Sequence, residues 1–62
     1  MEETIYDLLT KIQEKLNSSM GDAKKSDKGN RSAGIRLRKS MLEVKELATI
    51  ARSEVIRVRQ TD

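Results

Sequence analysis

From residue 34 to residue 58, small or apolar side chains recur at Gly34, Leu37, Met41, Val44, Ala48, Ala51, Val55 and Val58, with spacings that alternate three and four without a break. An α-helix of about 3.6 residues per turn brings such positions onto one stripe, and a repeat averaging about 3.5 marks helices that pack along their length. Asn30 offers a capping side chain just ahead of the stripe, so the spacing predicts one helix over about residues 30–60. Ile35, Leu42, Leu47, Ile50 and Ile56 widen the apolar surface beyond it. A broad stripe suits a helical bundle better than an isolated two-stranded coil. Leu37, Met41, Val44, Ala48, Ala51, Val55 and Val58 are therefore the candidate oligomer interface.

A shorter helix is predicted upstream. Ile5, Leu8, Leu9, Ile12 and Leu16 lie on one helical face, with Glu2, Glu3, Asp7, Lys11, Glu14 and Lys15 around it, and a helix over about residues 3–18 follows. Thr4 can cap it with Asp7 three residues on, a weaker relative of the capping box. Beyond Asn17 the apolar pattern stops, and Ser18, Ser19, Gly21, Asp22, Ser26, Asp27 and Gly29 supply turn-forming residues. They predict a polar linker over about residues 19–29, or a frayed extension of the helix. At about 1.5 Å per residue the first helix spans roughly 24 Å and the second roughly 45 Å. Folded back as a hairpin, the first covers the second only as far as about Ile50. Val55, Ile56 and Val58 are then left to a second copy, and an all-α helical homodimer or larger bundle is expected.

Composition excludes much else. With 62 residues and no Cys, His, Pro, Trp or Phe, the chain has no disulfide framework, no thiolate or imidazole metal site and no Ser/His or Cys/His nucleophile pair. Its carboxylates are scattered over helix surfaces, with Asp7 and Lys11, and Lys39 and Glu43, placed for pairing one turn apart. An enzyme, a cofactor site and a small-molecule substrate are all unexpected. No apolar run approaches the about 18 residues of a membrane span, and Met1-Glu2-Glu3 is acidic where a secretory signal is basic; a cytoplasmic location is expected. A monomer of this length has a core worth at most about 3 to 5 kcal/mol, which again calls for self-association. Tyr6, the single aromatic residue, is too little for base stacking and is expected at the edge of the core. Gly34 inside the second helix costs about 1 kcal/mol relative to alanine and implies close approach of a partner helix or a phosphate.

The net charge of +3 conceals a polarised chain. Residues 1–20 set Lys11 and Lys15 against Glu2, Glu3, Asp7 and Glu14, whereas Lys24, Lys25, Lys28, Arg31, Arg36, Arg38 and Lys39 face Asp27 alone within residues 24–39. Arg31, Arg38, Lys45, Arg52 and Arg59 stand seven apart, in a row beside the apolar stripe. In a coiled coil such flanking positions pair with acids on a neighbouring helix. The first helix places Leu8, Lys15, Tyr6 and Gln13 at the corresponding positions, and only Glu54 of the second could pair across a dimer. A row without acids to meet it points to a polyanion. Nucleic-acid phosphate answers repeated guanidinium groups by releasing condensed counterions, with little regard to sequence. The small residues of Lys28-Gly29-Asn30-Arg31-Ser32-Ala33-Gly34 would also admit a phosphate to the start of the second helix, although Gly29 and Asn30 equally serve as turn and cap.

The run Lys28-Gly29-Asn30-Arg31-Ser32-Ala33-Gly34-Ile35-Arg36-Leu37-Arg38-Lys39, followed by Leu42, Glu43, Leu47, Ala48, Arg52 and Glu54, resembles the short bacterial linker-histone-like proteins, the family of the chlamydial nucleoid-condensing protein. Asp7-Leu8-Leu9 with Ile12-Gln13 and Leu16 is similar to that family's first helix. The resemblance implies DNA binding and nucleoid compaction, and assigns DNA contact to Lys28, Asn30, Arg31, Arg36, Arg38 and Lys39. This chain lacks the chlamydial form's long Lys/Ala-rich tail, and its polar spacer is longer.

Together these readings predict a single helical domain over residues 1–62 that binds double-stranded DNA through its phosphates. The candidate contacts are Lys24, Lys25, Lys28, Asn30, Arg31, Arg36, Arg38, Lys39, Lys45, Arg52 and Arg59. The rival is a coiled-coil oligomerisation or adaptor module whose arginines pair with acids on another protein.

Overall fold

The computed structural model describes residues 3–60. Met1 and Glu2, which begin the acidic start noted above, lie outside the described residues, as do Thr61 and Asp62. Two helices, α1 (Ile5–Asp27) and α2 (Arg31–Gln60), fold back on each other as a hairpin. The all-α hairpin with a short first and a long second helix is borne out.

Local chemistry fixes both ends of α1. The Thr4 hydroxyl accepts from the Asp7 backbone N–H at 3.0 Å, and the Asp7 carboxylate accepts from the Thr4 N–H at 3.2 Å, a complete reciprocal capping box. At the other end the Asn30 N–H donates to the Lys25 carbonyl at 3.0 Å and the Gly29 N–H to the Ser26 carbonyl at 2.9 Å. This is the double closure of a Schellman motif, and Gly29 takes the left-handed conformation it requires, with φ +89. Asn30 then starts α2, its side-chain oxygen accepting from the Ala33 N–H at 2.9 Å.

The connection thus shrinks to Lys28, Gly29 and Asn30, and the polar linker expected from residue 19 onward is helix as far as Asp27. The hydroxyls of Ser18 and Ser19 both donate to the Lys15 carbonyl, at 2.9 and 2.7 Å, and stay inside the helix. Ser19 is buried. The face that α1 turns to α2 carries Leu8, Ile12, Lys15, Ser19, Asp22 and Ser26, each buried or half-buried. Its heptad rhythm runs unbroken through the polar stretch in small and charged residues, so the tertiary contact prolongs the helix where hydropathy shows nothing.

On α2 the answering face is Ala33, Leu37, Ser40, Val44, Leu47, Ala51 and Glu54, again buried or half-buried at heptad spacing. The helices meet largely through small side chains. A Cβ built on Gly34 would lie 3.2 Å from the Ser26 hydroxyl, so the close approach inferred for this glycine is to α1. Ion pairs between Lys15 and Glu43 and between Asp22 and Arg36 set an antiparallel register.

The longer α1 reduces the expected shortfall, although Val55 and Ile56 stay exposed. Glu3, Thr4, Ile5 and Tyr6 share a groove with Glu54, Arg57 and Val58, so α1 reaches well past Ile50. The apolar positions of α1 do not all turn inward. Leu8 is buried, but Leu9 is 54% exposed, and Tyr6, expected at the core edge, is 79% exposed. The chain's own core holds only Leu8, Ala33 and Ala51 as buried apolar residues among those described.

Candidate nucleic-acid interface

Each heptad of a straight α-helix falls about 20° short of two full turns, so side chains seven apart form a row that winds slowly around the axis. Arg31, Arg38, Lys45, Arg52 and Arg59 follow such a row along α2, away from α1, and all five are exposed. None of them enters an ion pair or a side-chain hydrogen bond among the described residues. Lys24 and Lys28, both exposed, add cations at the turn end of the hairpin, where Arg31 begins α2.

The remaining candidates are elsewhere. Arg36 grips Asp22 with two guanidinium nitrogens, Nη2 at 2.9 Å and Nε at 3.2 Å. The hydrogen bond from Arg36, with its positive charge, holds the Asp22 carboxyl below its ordinary value of 3.8, and Lys25 nearby adds to the effect. Lys25 therefore belongs to the flank of ion pairs. Lys39 lies on that flank too, where it adds to the attraction by which Lys15 lowers the Glu43 carboxyl. Asn30 spends its side-chain oxygen on the cap of α2. The eleven candidates divide into an unpaired row with its neighbours at the turn, Arg36 and Asn30 held by contacts within the hairpin, and Lys25 and Lys39, exposed on the flank where the ion pairs lie.

The interface candidates divide similarly. Leu37, Val44 and Ala51 turn toward α1, while Met41, Ala48 and Val55 are exposed. Val58 lies in the groove shared with Ile5 and Tyr6.

Several pairings differ from those read along the chain. Glu43 pairs with Lys15 across the hairpin, at 2.5 Å. Lys11 pairs with Glu3, and Asp7 serves the cap. Glu54, the one acid offered for pairing across a dimer, bonds Arg57 one turn on, which lowers its carboxyl. Asp22, taken from the sequence as a turn former, gains its ion-pair role only through the extended α1 and the antiparallel register, whereas the Glu54 and Arg57 pair is a local contact three residues apart within α2.

Among the described residues no cluster of acidic side chains could hold a metal ion, and no helix is long and apolar enough to cross a membrane. Comparison with curated proteins and with solved structures gives no match. A family model does match, over residues 6–61, a span that takes in both the Asp7-Leu8-Leu9 segment and the Lys28 to Lys39 run. The resemblance read from those residues is borne out, and the chain belongs to the family described as histone H1-like protein Hc1.

Proposed function

We propose that this protein binds double-stranded DNA without sequence preference as a nucleoid-associated, histone-like homo-oligomer, and that it bridges or compacts the DNA it holds. The observation that carries the reading is the row Arg31, Arg38, Lys45, Arg52 and Arg59, exposed and without an acidic partner among the described residues. Family membership supports the same class of ligand. Phosphate contacts position a protein on a duplex without reading its bases, and the row carries no amide or aromatic side chain that would add base readout. Four of its five members are arginine, whose planar fork suits a phosphate oxygen pair. An oligomer carries several such rows and can hold more than one segment of duplex.

The test is a salt titration of binding to random-sequence duplex. Arg31→Ala, Arg38→Ala and Arg52→Ala should each lower the log-log salt slope by about 1, since each removes one phosphate contact. Unchanged slopes, or no affinity at about 0.15 M salt, would instead favour a coiled-coil module whose arginines meet acids on another protein.

A further inference from the structure

The face on which α1 and α2 meet accounts for only part of the apolar surface of either helix. With about 100° between successive residues, Leu9, Leu16 and Met20 of α1 lie on one flank of its contact with α2. Met41, Ala48 and Val55 lie on one flank of the α2 contact. The antiparallel hairpin brings these two flanks to the same side of the molecule. The ion pairs Lys15 to Glu43 and Asp22 to Arg36 occupy the opposite side, which fixes the assignment. The result is a single lateral face, two helices wide, with Leu9, Leu16, Met20, Met41 and Val55 all exposed along it.

Two quantities identify its occupant. The molecule measures 49 × 17 × 14 Å, so a face spanned by the two longer dimensions offers at most about 800 Å², on the order of the share one partner contributes to a standard-size interface. The hairpin also needs cover, because three buried apolar residues among those described, two of them alanine, fall far short of the core a folded domain of this length requires. An apolar face of the right size, closed on itself by a two-fold axis, meets that need with no other component. The second apolar strip, Ile35, Leu42 and Ile56 on the back of α2, is one helix wide and bordered by Arg38, Lys39 and Glu46. It is the poorer seat.

We infer that the lateral face of Leu9, Leu16, Met20, Met41, Ala48 and Val55 seats the same face of a second copy, forming a four-helix bundle. The interface belongs as much to α1 as to α2, and the shared seam residues Leu37, Val44 and Ala51 hold the hairpin itself. This inference rests on the homo-oligomeric part of the proposed function and is independent of its DNA-binding part.

The experiment uses the full chain without DNA. Sedimentation over a range of concentrations should give a dimer. In parallel, single-cysteine variants Leu16→Cys, Ala48→Cys and Leu42→Cys, checked for helix content by circular dichroism, are alkylated with a maleimide at low and high protein concentration. Leu16→Cys and Ala48→Cys thiols should become protected at least about tenfold as concentration rises, whereas the Leu42→Cys thiol should react at a constant rate. A chain that stays monomeric throughout would overturn both the inference and the oligomeric reading. A dimer in which Leu42→Cys is protected and the lateral thiols are not would overturn this face alone. Neither result decides whether the chain binds DNA.

Discussion

Arg36 and Arg38 are two residues apart and meet opposite electrical surroundings. Arg36 is held by Asp22, and its charge is spent inside the hairpin; Arg38 has no acid to answer it among the described residues. Arg36→Ala should therefore leave the salt slope of DNA binding close to wild type, in contrast to the loss of about 1 expected for Arg38→Ala. The cost of Arg36→Ala should fall on the fold. Hydrogen bonds from Arg36, Lys15 and Arg57 lower the carboxyls of Asp22, Glu43 and Glu54 below their ordinary values. A carboxyl depressed in the folded state adds stability that is present above its unfolded value and is lost as pH falls through the folded one. Their cationic partners stay charged throughout. Thermal melts followed by circular dichroism should show wild type losing more of its melting temperature between about pH 6 and pH 3 than Asp22→Asn does. These are exposed pairs, so each contribution is modest and weakens with salt. Equal losses for the two proteins would remove Asp22 from the account. Charge along the chain shows the basic bias at once, but the neutralisation of Arg36 and Lys15 depends on the register of two helices, and no local pattern encodes that.

At the scale of the element, the turn between α1 and α2 is the most sharply specified part of the molecule. Gly29 stands at φ +89, where an L side chain clashes with its own backbone, so Gly29→Ala should cost about 1 kcal/mol. Asn30→Ala removes the cap of α2 and should cost about 1 kcal/mol as well. Chemical denaturation monitored by helix content measures both. Gly34 behaves differently, since its φ is ordinary and its constraint is the Ser26 hydroxyl 3.2 Å from where a Cβ would stand. Gly34→Ala alone gains helix propensity but crowds that hydroxyl. Combined with Ser26→Ala it should stabilise by about 1 kcal/mol, and a double variant no better than the single one would show that the contact is not what limits the site. The capping box at Thr4, the Asn30 cap and the long second helix were all legible in the sequence, because each is written in residues near one another along the chain. The last third of α1 was not. Ser19, Asp22 and Ser26 keep the heptad rhythm, but they are small or charged, and apolar spacing alone passes over them. For the same reason the apolar face predicted from spacing is rotated from the true contact, which takes Leu8, Ile12, Lys15 and Ser19 inward and leaves Leu9 and Leu16 exposed.

For the whole molecule, the separation of surfaces decides what the protein can do with DNA. Ion pairs occupy one side of the hairpin, the lateral apolar face the other, and the cationic row runs along the outer edge of α2. Covering the apolar face with a second copy doubles the number of rows per particle without consuming them wholesale. Binding and compaction then become separable properties. A monomer retains one row and can coat a duplex, whereas holding two segments together requires two rows in one particle. Leu16→Glu places a charge in the middle of the lateral face and leaves every member of the row in place. At equal occupancy of tethered DNA, wild type should shorten the tether and Leu16→Glu should bind with lower apparent affinity and shorten it little, because two linked rows gain from effective concentration and one does not. Helix content measured beside the tether assay separates loss of the dimer from loss of the hairpin, and Ile50→Glu, at an exposed position on the ion-pair side of α2 with no member of the row three or four residues away, supplies a charge of the same sign outside the face. If Leu16→Glu compacts DNA as wild type does while sedimenting as a monomer, a single hairpin bridges duplexes by itself. The exposed cations Lys24 and Lys28 at the turn end would then have to act as a second binding surface, distinct from the row.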